Sequence, residues 1–129
     1  MDSQRLGFWI EFIVSRSGFP SPQRLAAQFA VASFSEFCVC GCNSFKVSVP
    51  ADAHIEPIAT PSSHTGAVFE SSFHLEPSNK SLEFILFADE LGNLSYVEID
   101  CNANSEAVPE VIQVRGEPYH VHRSQGLAP

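Results

Sequence analysis

Basic residues are scarce. Seven Lys and Arg stand against fifteen Asp and Glu, a formal net charge of −8. A chain so poor in cations is unsuited to holding nucleic acid phosphates or an anionic membrane by charge. The deficit is uneven. Residues 1–50 carry four basic and three acidic side chains, a net of +1, whereas residues 51–129 carry three and twelve, a net of −9. Long hydrophobic runs are also missing. The stretch FWIEFIV is interrupted by Glu11 and lacks the basic flank and small-residue cleavage site of a secretory signal. Nothing approaches the roughly 20 apolar residues of a membrane-spanning helix. These absences predict a cytoplasmic protein whose thiols are reduced.

Signatures of common catalytic chemistry are absent as well. There is no phosphate-cradling glycine loop, no H-E-x-x-H and no G-x-S-x-G elbow. There is no C-x-x-C pair, which removes the thioredoxin-like reading. Five histidines and four cysteines allow many Cys–His pairs, but no pattern singles one out. Asp89 and Glu90 read as solvated turn residues rather than an acid–base pair. The expectation is a protein that is not an enzyme. Repeats and low-complexity tracts are missing too.

What is present is a globular composition. With 129 residues, 44% hydrophobic and 17% charged, the chain is long enough for one domain with a real core. Eleven Phe against two Tyr point to a core filled with aromatic bulk. Leu6, Trp9, Ile10 and Ile13 fall on one helical face, with Phe8 and Phe12 widening it, so residues 3–16 read as a helix. Asp2 or Ser3 can cap its start and Gly18 its end. Ser21 and Pro22 open a second helix that runs to residues 29–32. Strands follow. Phe45, Val47 and Val49 alternate with Ser44, Lys46 and Ser48. Residues 50–65 hold three prolines and read as a mobile loop. GAVFESSFHL places Phe69, Phe73 and Leu75 on one side. LEFILF, nearly all apolar, reads as a central strand buried on both faces. DELGN turns the chain into LSYVEI. EVIQV reads as a short edge strand, and HRSQGLAP as a frayed end.

Helices first and strands afterwards predict an α+β fold, with two N-terminal helices on an antiparallel meander of four or five strands. The expected division is a helical part at residues 1–33, a sheet at 34–114 and a flexible tail at 115–129.

The densest motif is FCVCGCNSF. Cys38 and Cys40 share a face of any extended segment, and a reversal at Gly41, with Asn43 tolerating positive φ, brings Cys42 near them. Three thiolates there, with Cys101 or one of His120 and His122 as the fourth ligand, would suit zinc. The C-x-C-x-C spacing departs from the usual two-to-four-residue separation of structural zinc ligands. The preferred reading is therefore cysteine as a small buried hydrophobe beside a tight turn, with no cofactor, and zinc is the alternative.

The string FCVCGCNSFKV, followed by FILFADELGNLSYVEID, resembles a group of small, mostly uncharacterised bacterial proteins. They carry a C-x-C-G-C-x-S turn, here Cys38, Cys40, Gly41, Cys42 and Ser44, and then a hairpin. The resemblance covers residues 25–50 and 80–100. Such short acidic α+β proteins are similar to immunity proteins encoded beside bacterial toxins. It implies a non-enzymatic inhibitor that occludes a basic toxin partner, and it carries over no catalytic residue. The acidic half supplies the candidate contacts Glu70, Glu76, Asp89, Glu90, Glu98 and Asp100, taken as exposed carboxylates able to steer a basic protein. The competing reading of that charge is solubility alone.

Overall fold

Asp2 starts the first helix, its carboxylate accepting the Arg5 N–H at 2.8 Å. The computed structural model describes residues 1–38, 41–61 and 66–128. Among them are two helices, α1 (Ser3–Arg16) and α2 (Pro22–Val31). Six strands follow: β1 (Ser33–Ser35), β2 (Phe45–Ser48), β3 (Gly66–His74), β4 (Ser81–Ala88), β5 (Leu94–Cys101) and β6 (His120–Arg123). The fold is α+β, and the sheet is antiparallel throughout. α1 ends as its sequence indicates, with Gly18 in a left-handed conformation just beyond Ser17. Ser21 stands at the N-cap of α2, but its side chain makes no capping bond, and its carbonyl instead accepts from Arg24 and Leu25.

The strand order is β1-β2-β5-β4-β3-β6. Strands β3, β4 and β5 form the expected meander, and β4 is central. The other strands correct the simple meander. β2 pairs with β5 rather than β3, a Greek-key arrangement. Residues 49–65 are long enough to carry the chain past two intervening strands, each step about 4.8 Å. The expected four or five strands are six. EVIQV forms no strand, and Val114 makes only an isolated bridge to Leu75. The sixth strand comes from the segment expected to be a flexible tail. β3 would otherwise present an open edge of unpaired N–H and C=O groups, and β6 satisfies it from Ser72↔His120 to Phe69↔Arg123.

Burial is one-sided. In β4, Leu82, Phe84, Leu86 and Ala88 are buried, while Glu83, Ile85 and Phe87 are only partly covered. The expectation of burial on both faces is therefore corrected. Both helices cover one face and water reaches the other. Trp9 and Phe12 of α1 pack on Phe84 with ring centroids 5.6 and 5.5 Å apart, and Phe12 also meets Phe73 at 5.2 Å. Phe29 of α2 stacks on Phe34, which meets Phe45. Phe8, expected to widen the buried stripe, is 39% exposed.

The loop at residues 50–65 is anchored rather than free along its described part. Residues 62–65 lie outside the described residues. Ile58 and Ala59 are buried, and both N–H groups donate to the Gly92 carbonyl, at 2.9 and 3.0 Å. Gly92 has φ +81°, and a Cβ there would sit 2.1 Å from the Ala59 carbonyl oxygen, so the close approach needs glycine. The C-terminal segment closes over the same loop, with Thr60 donating to Gly126 and Ala128 to Ile58.

Phe84 touches Trp9, Phe12 and Phe73 and is fully buried. Phe84→Ala is expected to cost about 3–5 kcal/mol in urea unfolding. Phe87→Ala, on the open face, should cost markedly less. Equal losses would show that the two faces are buried alike.

Candidate binding face

Alternation along three paired strands brings carboxylates together on the open face. Glu83 of β4 lies opposite Asp100 of β5. In the next row Ile85 separates Glu98 of β5 from Glu70 of β3. Directly opposed side chains on one face stand about 5 Å apart at Cβ. Four carboxylates from three strands thus share one patch. His122 and His120 of β6 lie in register with Glu70 and Ser72 and extend the two rows. The row beyond Glu98 is aromatic: Phe87 and Tyr96 meet edge to face with centroids 6.0 Å apart.

Like charges so close cannot all ionise freely. The Glu98 carboxyl is pushed up to about 7. Partial burial is the first cause. A hydrogen bond to Asp100 follows, and then the charges of Asp100, Glu83 and Glu70. The Glu98 carboxyl therefore keeps its proton to well above the usual carboxylate range. Ser72 Oγ donates to Glu83 at 3.4 Å. Among the described residues the ion pairs are Arg24–Glu56, Lys46–Glu36, Lys80–Glu106 and Arg115–Glu76, and none draws on the four carboxylates of the patch.

Three candidates from the sequence, Glu70, Glu98 and Asp100, meet here. Asp100 is 8% exposed, which corrects the picture of a free surface acid, and Glu70 and Glu98 are partly covered. Glu83 was not among the candidates. Its signal was available, since it is the charged residue in SLEFILF and alternation places it on the face opposite Leu82 and Phe84. The remaining candidates lie elsewhere. Glu76 pairs with Arg115 at 3.7 Å. Glu90 is exposed in the β4–β5 turn. Asp89 is structural: its Oδ1 accepts the N–H groups of Leu91 and Asn93 at 2.9 and 3.0 Å.

The cysteine turn, the alternative zinc site of the sequence, is described at Cys38 and Cys42. Cys38 and Cys42 stand at disulfide distance, with Cα atoms 6.2 Å apart. The sequence reading of reduced thiols did not anticipate so close an approach. Cys40 and His64 lie outside the described residues. Cys101 is a free thiol buried at the end of β5. Burial and then Glu106 raise its pKa, against the lowering effect of Lys80, which makes it a poor nucleophile. Among the described residues no group of three or more His, Cys, Asp or Glu side chains is arranged to hold a metal ion. No described helix is long and apolar enough to cross a membrane. His74 stacks flat on Tyr119, with centroids 4.0 Å apart.

The arrangement is that of an α+β domain displaying a carboxylate patch beside an aromatic pair. The chain matches no protein-family model, and no significant similarity to a curated protein or to a solved structure was found.

Glu98 binds its proton more tightly folded than unfolded. Its contribution to stability is complete below the unfolded value, near 4.5, and is lost as pH rises to about 7. Glu98→Gln should therefore gain stability relative to the parent as pH rises from 5 to 8, read by urea unfolding at both pH values. An identical pH slope in the two proteins would refute the coupling. Asp89→Ala should cost about 0.5–2 kcal/mol, as does loss of a capping acceptor. Glu90→Ala should be close to neutral in the same assay.

Proposed function

We propose that this protein is a non-enzymatic binding protein of the immunity type, which occludes a basic protein partner through the open face of its sheet. The observation that carries this reading is the convergence of Glu70, Glu83, Glu98 and Asp100 on one face, none of them drawn into the ion pairs of the described residues. A solubility surface has no need to press carboxylates together. A cationic surface relieves their repulsion, releases the proton on Glu98 and gains charge-assisted hydrogen bonds. Phe87 and Tyr96 supply an apolar anchor beside the charges, the usual companion of a steered contact. The resemblance of the cysteine turn and following hairpin to small bacterial immunity-like proteins favours a toxin as that partner, encoded by a neighbouring gene.

The test begins with the product of that neighbouring gene, purified and mixed with the parent chain. Charge steering weakens as the Debye length falls from about 30 Å at 0.01 M salt to about 8 Å at 0.15 M. Association should slow steeply over that range, while dissociation changes much less. The triple variant Glu70→Gln, Glu83→Gln, Glu98→Gln should associate at least about tenfold more slowly at low salt. Glu76→Gln with Glu90→Gln should associate like the parent. An association rate flat in salt, or a triple variant that binds like the parent, would remove the open face from the interface.

A further inference from the structure

The aromatic row of the open face is built differently from the carboxylate rows beside it. Phe87 of β4 and Tyr96 of β5 are directly opposed in register. Their ring planes stand at 74°, edge to face, so they form two walls of a corner instead of a flat stack. Such a pair engages one face of one ring, and the other faces keep the negative potential of the π-cloud. Both residues are partly exposed. Two residues further along β5, on the same side, stands Glu98, about 7 Å from Tyr96 along the strand. Ile85 faces Glu98 across the ladder. Other aromatic rings of the described residues carry guanidinium groups. Arg5 lies over Phe8 and Trp9 at 5.8 and 5.0 Å, and Arg16 over Phe12 at 5.2 Å. None of these contacts reaches Phe87 or Tyr96. Lys46 of β2 stands opposite Tyr96, but its ammonium pairs with Glu36 at 3.4 Å.

We propose that the corner of Phe87 and Tyr96 seats an arginine presented by the basic partner, its guanidinium lying on the rings and its N–H groups turned to the Glu98 carboxylate. This rests on the open face being the binding face, and it names the side chain that the face selects. A guanidinium is flat, weakly hydrated and stacks on aromatic faces, whereas a lysine ammonium is compact and strongly hydrated. Its edge carries paired N–H donors that meet both oxygens of a carboxylate. The corner and Glu98 offer the two halves of that recognition on neighbouring rows of one face. Asp100 on the same strand, Glu83 on β4 and Glu70 on β3 surround Glu98 with further negative charge, which draws the cation in. Lys46, held by Glu36, stands on the far side of Tyr96 and turns a guanidinium toward Glu98 by like-charge repulsion.

The probe is the acetylated, amidated tripeptide Gly-Arg-Gly, with Gly-Lys-Gly as its match in charge. The full-length protein is titrated at pH 8, where the Glu98 carboxyl, pushed up to about 7, is charged. Ring signals of the two tyrosines are followed by NMR and assigned with Tyr119→Phe. The Tyr96 signals should move to saturation with the arginine peptide while those of Tyr119 stay in place. The lysine peptide should bind about two- to fivefold more weakly. Phe87→Leu removes the ring but keeps an apolar side chain, and Glu98→Gln removes the charge. Each should weaken the arginine peptide by a similar factor, and Glu76→Gln should leave it unchanged. An unmoved Tyr96, equal affinity for the two peptides, or variants at Phe87 and Glu98 that bind like the parent would overturn the arginine seat. The product of the neighbouring gene separates this inference from the reading it rests on. If that product binds with a salt-dependent rate and Phe87→Leu binds it like the parent, the binding face stands and the arginine seat falls. If it does not bind while the arginine peptide moves Tyr96 as expected, the seat stands and the immunity reading falls.

Discussion

Two helices can cover one face of a six-stranded sheet and no more, and this one-sided burial governs the molecule. The covered face takes the large apolar side chains: Phe69 and Phe73 from β3, Leu82, Phe84 and Leu86 from β4, Val97 and Ile99 from β5. Because side chains alternate along a strand, the same segments must offer their other residues to water. Glu70, Glu83 and Glu98 are those residues. The acid patch is thus the necessary reverse of the aromatic core, built on the same backbone and in the same register. Its geometry is fixed by strand pairing rather than by the packing of the carboxylates themselves.

A second constraint holds the ends of the strands in place. Gln28 of α2 is fully buried, and burial of an amide without partners would cost about 1–3 kcal/mol. Its Nε2 donates to the Glu56 carbonyl at 3.0 Å and to Asn93 Oδ1 at 2.9 Å, and its Oε1 accepts the Leu94 N–H at 2.8 Å. One side chain therefore fixes α2 against the loop before β3 and against the first residue of β5. Asp89 and Gly92 shape the turn it grips. This polar junction explains why a loop with several prolines is ordered around Ile58.

The parts of the fold written in local pattern were legible in the sequence. The stripe Leu6, Trp9, Ile10 and Ile13, with Asp2 before it, placed α1. The alternation around Phe45 and Val47 placed β2, and the flanks of DELGN placed β4 and β5. What failed depended on distant pairing. HVHR is too short and too polar to announce a strand, and it is one because β3 has an edge to satisfy. The neighbour of β2 is chosen by the same long-range matching. Reading LEFILF as buried on both faces hid the alternation that puts Glu83 beside Asp100, and so one carboxylate of the patch was missed. The approach of Cys38 to Cys42 could not be read from spacing alone, since spacing does not say which two of three neighbouring cysteines meet.

Carboxylates held on strands differ from carboxylates on loops in what a partner must supply. Loop side chains can move apart to relieve repulsion, and a partner must order them again at an entropic cost. Strand positions cannot separate, so cross-strand like charges stay close and weaken the sheet they stand on. The patch relieves part of that repulsion by keeping a proton on Glu98 near neutral pH. A cationic surface laid across the face would relieve the remainder while meeting side chains already in position. Anything that binds the folded form alone stabilises it. Under the proposed function, binding and folding stability are therefore linked through the same four carboxylates, and the proton on Glu98 is the competitor that the partner displaces.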